Sequence, residues 1–576
     1  MTSTRDKALF VTMIPSPRRG SRWPWDDPTS NGSHALAFWA QVVPACVAIF
    51  LYLGGLGNGF AYDDIPVIPD NDWVRHGVVL TQALSLPYWP NGALYRPLTS
   101  FTYGIDWLVG GGRPFLFHAV NIAWYAIGTA LVARVALRWW PPLAAALAGL
   151  LFAAQPLHVE SVANVVGRAE LLSGAALLLL TLVTASHRPL TRGRLFAIAA
   201  LAALSLAAKE TGAVAPLVVW AAARMRRDAK PGDARRATVA ALLGIALPLT
   251  QRALVLGTLA GDTPHAAFAV ATPTQALELA LASIPRAAGM LVVPQLPRID
   301  YSPTAVEVSH SSPLLVALGA LLVAAGATLI VLHARRPTRW SWAAVFSVVT
   351  FLPVSNLVLH TGVVLADRTL YSPSVGIALL AAGVLAAHAA RRWSIAWSAG
   401  RVGVALALMI VGGEDCLRTI PVWHDNVSVF TAMRDRAPTS YRGYYLLGKE
   451  RRTGGPSADA QRDYVTAIAL FGDDPGLLYD AGVNALTLGD TSDALTWLTA
   501  AVRRNPGQRR ARTSLALLHL RRADRDEARA LLRDGLAMEP DQHLWRRMLD
   551  SLDRADDRAA SPLTPPTPTP TPHGGP

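Results

Sequence analysis

The chain has 576 residues, 52% of them hydrophobic and 16% charged, where soluble globular domains carry about 25% charge. Apolar runs recur over roughly the first 415 residues, which excludes a soluble protein and indicates a multi-spanning membrane protein. The formal net charge of +13 does not argue for a nucleic-acid partner, because Lys and Arg cluster between apolar runs, as they do at the cytoplasmic ends of membrane spans.

In chain order, residues 1–35 carry Arg5, Lys7, Arg18, Arg19 and Arg22 among Pro and Ser, and read as a disordered cytoplasmic tail with no cleavable signal pattern. The membrane region is expected over 36–415, opening with a span from Leu36 to Gly55. Two cysteines, Cys46 and Cys416, sit in the first and last apolar runs and give no disulfide framework. Residues 57–115 form a first loop too polar to span. It begins GNGFAYDD, so Asp63 and Asp64 stand where a helix should emerge into water. Its aromatic density suits an interfacial belt, with one or two helices along the membrane surface.

Further spans are expected near 116–137, 141–156, 170–186, 194–208, 211–223, 237–258, 312–334, 340–360, 372–390 and 397–413. Several fall short of the ~20 residues a full crossing needs, and imply tilted, broken or reentrant helices. Segment 275–296 is apolar but interrupted by Pro285 and Arg286. With eleven spans and that segment outside, the basic loops His187–Arg194, Arg224–Arg236, Arg335–Arg339 and Arg391–Arg392 all fall on the cytoplasmic side. The 57–115 loop, His158–Glu170, Lys209–Glu210, Pro297–Ser312, His360–Tyr371 and the C-terminal region then share the far side.

Residues 423–552 read as three helical hairpins. Pro506 and Pro540 lie 34 residues apart, with Ala494 and Ala528, then Ala501 and Gly535, at the small packing positions. Gly482 and Gly489, and earlier Tyr444, Gly448, Ala460, Tyr464 and Ala467, take equivalent places, which is the tetratricopeptide pattern. The fold class expected is therefore all-α: a polytopic membrane bundle followed by an α-solenoid. Residues 553–576 read as a disordered Pro/Thr-rich tail.

Charges at membrane boundaries are functional candidates. The chain offers His158, Glu160, Arg168 and Glu170 in QPLHVESVANVVGRAELLSG, Lys209 and Glu210 in AAKETG, and Asp367, Arg368 and Tyr371 in VLADRTLYSPS. Each has a structural reading: Glu170 as a helix cap, Lys209 snorkelling, Asp367 and Arg368 as an ion pair. Together on one side, they suit glycosyl transfer from a lipid-linked donor. A carboxylate (Asp63, Asp64 or Glu160) takes the acceptor proton, and a cation (Arg168, Lys209 or Arg368) stabilises the leaving polyprenyl phosphate. No glycine-rich nucleotide cradle follows a strand.

FAYDD, YRPLTSFTYGID, AAQPLHVESVANVVGRAELLS, AAKETG, FLPVSNL, ADRTLYSPSVG and VWHDNVSVF, in this order over roughly residues 50 to 545, resemble the transmembrane and tetratricopeptide-repeat O-mannosyltransferases, the TMTC type. The resemblance implies a GT-C glycosyltransferase that inverts configuration as it moves mannose from a polyprenyl-phosphate donor, dolichyl-phosphate mannose, to protein Ser or Thr, without metal or other cofactor. It implies site roles for Asp63 and Asp64, for Glu160, Arg168 and Glu170, and for Arg368 and Tyr371. PRIDYS departs from the family's corresponding stretch, so only Asp300–Ser302 carries over, and the repeat array is short. High Ala, Arg and Pro content suggests a bacterial plasma-membrane protein, for which a shorter polyprenol and another sugar stay open. The alternatives are a membrane-anchored repeat scaffold that binds partners without catalysis, and a lipid-linked sugar transporter.

Overall fold

The computed structural model describes residues 31–560 apart from 77–79, 91, 93, 260–263, 294–296 and 387–394. The N-terminal tail to residue 30, the Pro/Thr-rich tail from 561 and the Arg391–Arg392 loop lie outside the described residues. Every regular element among the described residues is a helix.

Among the described residues, six helices are long and apolar enough to cross a bilayer: His34–Gly57, Pro114–Ala136, Val165–Thr184, Asp233–Leu256, Pro313–Arg335 and Asp367–Ala386. A seventh crossing is available if the bent pair Pro142–Ala153 and Pro156–Val162, which meet at 55°, is one broken span. These make the chain a multi-pass membrane protein, but eleven crossings exceed what the helix lengths support. Arg192–Ala208 has 17 residues, Ala215–Arg224 has 10 and Arg339–Phe351 has 13. At 1.5 Å per residue each is shorter than a ~30 Å hydrocarbon core. Segment 275–296 is one helix, Pro273–Val292, that carries Pro285 inside it.

Local chemistry sets these elements. Prolines open Pro114–Ala136, Pro142–Ala153 and Pro313–Arg335, where a missing N–H costs nothing. Thr272 with Gln275 and Thr338 with Ser341 form reciprocal caps at two further starts. Val165–Thr184 is nearly enclosed by its neighbours, whereas Pro313–Arg335 leaves Leu314, Leu321 and Leu332 exposed, as a lipid-facing helix would.

In the first loop, three short helices, Asp64–Val67, Asp72–Arg75 and Leu80–Ser85, precede the longer Pro97–Gly110. The latter is two-sided: Tyr103 and Asp106 are buried while Ile105, Leu108 and Val109 are exposed.

The repeats form three hairpins: Tyr441–Arg451 with Ala458–Leu470, Pro475–Leu488 with Thr491–Arg504, and Arg509–Arg521 with Arg525–Met538. His543–Ala560 closes the stack with Trp545 and Leu549. Ala494, Ala501 and Ala528 are fully buried, and Gly489 ends its helix at φ +91°, where a side chain would strain. The first hairpin does not stand apart. Tyr441, Tyr464 and Phe471 share one apolar cluster with Ala267, Phe268, Leu279 and Val364, so it docks onto the helices Ala266–Val270 and Pro273–Val292 and the loop at Val364.

Candidate active site

Asp63 and Asp64 are adjacent, but a short helix beginning at Asp64 turns them apart. Asp64 is 1% exposed. Its Oδ1 accepts from Val166 N at 2.8 Å, and its Oδ2 from Val165 N at 3.2 Å and Ala61 N at 3.4 Å. Burial pushes its acid up to about 7, against three backbone donors that favour the charged form. Asp64 therefore pins the first loop to the turn before Arg168. Asp64, one of the three carboxylates expected to take the acceptor proton, is thus spent on holding the loop.

Asp63 keeps 17% of its side chain exposed and meets Arg368, whose Nη1 lies 3.1 Å from Asp63 Oδ2. The same Nη1 lies 3.0 Å from Glu160 Oε1, and Arg368 N donates to Glu160 Oε2 at 2.8 Å. Arg368 sits in the turn Asp367–Leu370 and Glu160 on the one-turn helix Val159–Val162, so two irregular segments meet the first loop at one point. Among the described residues only Nη1 of that guanidinium has a protein partner, which leaves the Nε–Nη2 edge for a ligand.

Beside this trio lie two further charged groups. Lys209 Nζ pairs with Glu170. Arg96 holds Glu210 through Nε at 3.0 Å and Nη2 at 2.8 Å while lying over the Tyr88 ring, and Arg252 Nη1 reaches Glu210 Oε1 at 3.3 Å. Lys209 is close enough to Arg368 and Glu160 for their charges to interact. Asp63, Glu160 and Arg368 thus form one ion-paired group, and Lys209 with Glu170 and Glu210 with Arg96 and Arg252 form two more beside it.

Like Asp64, the expected site residues Arg168, His158, Tyr371 and Asp300 are placed elsewhere. Arg168 has no exposed surface. It ion-pairs Asp106 at 2.5 Å, donates to Asn121 Oδ1 at 2.7 Å and to Phe117 O at 3.0 Å, and lies 4.8 Å from the Tyr103 ring centre. Its donors are spent inside the fold, so the guanidinium braces the first loop and is not presented to a phosphate. His158 is sealed between Tyr125 OH at 2.9 Å and Ser374 Oγ at 2.8 Å. Tyr371 is buried against Tyr125, Phe152 and His158, in a slot that Gly128 and Gly174 leave open; a Cβ on Gly128 would come 2.5 Å from its hydroxyl. The Asp367–Arg368 ion pair does not form either. Asp367 turns the other way and accepts from Tyr301 OH at 2.7 Å.

Asp300 lies under the repeats. Its Oδ2 accepts from Ser302 N at 3.0 Å and from Ser440 Oγ, and Arg442 Nε stands 3.8 Å from its Oδ1. The stretch before Asp63 is clasped by residues 420–426: Asn58 Nδ2 donates to Ile420 O at 2.9 Å, Gly59 N to His424 O at 3.0 Å, and Tyr62 N to Asn426 Oδ1 at 2.7 Å. Tyr62 adopts φ +54°, a left-handed conformation costing a non-glycine residue roughly 1–2 kcal/mol.

Sequence reasoning missed Arg96, Arg252, Asn426 and Arg442. Arg252 carried a signal, a lone cation inside the apolar run 237–258. Arg442 carried none, since a polar residue at that place in a repeat reads as surface.

Comparison with known proteins follows the same outline. Residues 485–552 match the tetratricopeptide repeat family model. The chain is 25% identical over 469 residues to a protein O-mannosyl-transferase of Caenorhabditis elegans, covering 78% of this chain and 65% of that one. It is 28% identical over 487 residues to the protein O-mannosyl-transferase Tmtc1 of Drosophila melanogaster, covering 67% and 56%. It is 26% identical over 494 residues to the protein O-mannosyl-transferase TMTC4 of Homo sapiens, covering 74% and 66%. The chain resembles the TMTC-type O-mannosyltransferases over two thirds or more of its own length, and spans less than two thirds of theirs.

Proposed function

We propose that this TMTC-like chain is an inverting glycosyltransferase that moves a sugar, mannose first among candidates, from a polyprenyl-phosphate donor to Ser or Thr hydroxyls of a protein acceptor. The observation that carries the reading is the Asp63–Arg368–Glu160 contact, a partly exposed carboxylate beside a guanidinium with a free edge. Asp63 takes the proton from the attacking hydroxyl. The hydroxyl oxygen bonds to the anomeric carbon as the bond from that carbon to the phosphate oxygen breaks, through an oxocarbenium-like transition state. Arg368 receives the negative charge that builds on the phosphate, through its free Nε–Nη2 edge. Glu160 holds Arg368 at Nη1 and at the backbone, which fixes the direction of that edge. Lys209, with Glu170 beside it, adds positive potential from the other side. The step uses no metal.

The far side of the membrane suits both substrates, since the lipid-exposed helices receive the polyprenyl tail and the repeats hold the acceptor. Incubating purified protein with radiolabelled polyprenyl-phosphate mannose and a Ser/Thr peptide tests the reading. Labelled glycopeptide, absent with Asp63→Asn, is the expected result. Absence of transfer with mannosyl and other hexosyl donors would remove it.

A further inference from the structure

We infer that Arg442, on the first helix of the repeat region, positions the Asp63 carboxylate through Tyr62, so that the repeats form part of the transfer site as well as an acceptor-holding surface. The inference rests on Asp63 being the base.

Tyr62 immediately precedes Asp63 and is one of four non-glycine residues with positive φ among the described residues. Such a conformation persists only where the surroundings impose it. Beside the loop's own turn bonds, Asp64 N to Ala61 O at 3.1 Å and Ile65 N to Tyr62 O at 3.3 Å, three contacts from outside the loop hold it: Asn426 Oδ1 accepts from Tyr62 N at 2.7 Å, Arg442 Nη2 donates to Tyr62 OH at 2.5 Å, and the Phe430 ring meets the Tyr62 ring edge-on at 5.7 Å. All three come from the segment that leads into and opens the repeats. Arg442 is itself held by Asp300, which is anchored by Ser302 and Ser440.

Asp63, by contrast, has little to hold it. It makes no capping bond to the helix it precedes, and its side chain has Arg368 as its partner among the described residues. The direction of its Cα–Cβ bond is therefore set by the backbone on either side, at Tyr62 and at the anchored Asp64. If Tyr62 relaxed to an ordinary negative φ, Asp63 would swing away from Arg368 while Asp64 remained tied to Val165 and Val166. A base displaced by about 1 Å costs on the order of 10²-fold in rate. Arg442 is thus a positioning residue that touches neither substrate.

The test uses the full chain with Arg442→Gln, Arg442→Lys, Tyr62→Phe and the Arg442→Gln/Tyr62→Phe double variant. Four readings are taken: peptide mannosylation, slow donor hydrolysis without peptide, thermal stability, and hydrogen exchange of the amides at 60–64. Arg442→Gln is expected to lower kcat about 10–100-fold, with donor and peptide KM little changed, and to lower donor hydrolysis in parallel. Arg442→Lys should recover part of the loss. Tyr62→Phe should resemble Arg442→Gln, and the double variant should be no worse than the poorer single, because both remove one interaction. Exchange at 60–64 should quicken in Arg442→Gln while the spans keep their protection.

A rise in peptide KM alone would make Arg442 an acceptor contact and overturn the inference. So would a lowered melting temperature with normal kcat per folded molecule. If the wild type shows no transfer or hydrolysis, the functional reading fails instead. Exchange then decides the positioning claim by itself, and unchanged exchange at 60–64 would overturn it.

Discussion

Arg368 Nη1 stands 3.1 Å from Asp63 Oδ2, joining residues 305 positions apart in the chain. That contact separates two neighbouring aspartates that look equivalent in sequence, and it assigns them different consequences on mutation.

Asp63→Asn should lower transfer about 10²–10⁴-fold, the usual cost of losing a general base, while leaving the melting temperature near that of the wild type. Asp64→Asn should do the reverse. An amide in place of the buried carboxylate sets an N–H donor against Val165 N or Val166 N, at a cost of about 1–3 kcal/mol. Turnover per folded molecule, measured alongside thermal melting, checks the pair. Equal loss of turnover without loss of stability in both would refute the assignment.

Arg368→Ala should lower kcat on the order of 10²-fold, as removal of one donor to a developing charge does, and Arg368→Lys less so, since it keeps charge but loses the planar edge. Asp367→Ala should behave differently. It frees Tyr301 and slackens the 297–302 loop, which reads out as reduced stability. Matched losses of stability in Arg368→Ala and Asp367→Ala, with kcat intact, would take Arg368 out of the site.

Arg168→Leu should fail to accumulate or melt far lower, because Asp106 is then left without its partner in the interior. Breaking such buried pairs costs about 3–5 kcal/mol. Arg168→Leu combined with Asp106→Leu should recover much of that stability. Expression level and thermal melting in detergent distinguish this from a donor-phosphate role, in which Arg168→Leu would fold normally and lose only turnover.

Burial raises Asp64 to about 7 from an ordinary 3.8. Between those values the folded chain binds more protons than the unfolded one. The Asp64 contribution to stability is therefore fully present below about pH 4 and is lost as pH rises to about 7. Thermal melting across this range, wild type against Asp64→Asn, should show the wild-type advantage shrinking towards neutral pH. An advantage that grows with pH would contradict the sign.

Much of this protein is determined by local patterning. Apolar runs bounded by Pro, Gly and Arg specify the long helices, because each satisfies its own backbone and needs only lipid or a neighbour on its apolar faces. The 34-residue spacing of Pro506 and Pro540 with small residues between them specifies the repeats, since helices pack closely only where side chains are small. Asp63, Glu160 and Arg368 were visible as charges where charge is costly. What the sequence could not determine was which charges were consumed within the fold. Arg168 and Arg368 share a residue type and a setting at a membrane boundary, yet one is closed off by Asp106, Asn121 and Phe117 while the other keeps a free edge. Crossing number also escaped, because hydropathy does not separate a short buried helix from a short span. The link from Arg442 to Tyr62 joins residues 380 positions apart. Only tertiary packing decided it, because no local spacing encodes a contact that forms when the first repeat hairpin docks on the bundle.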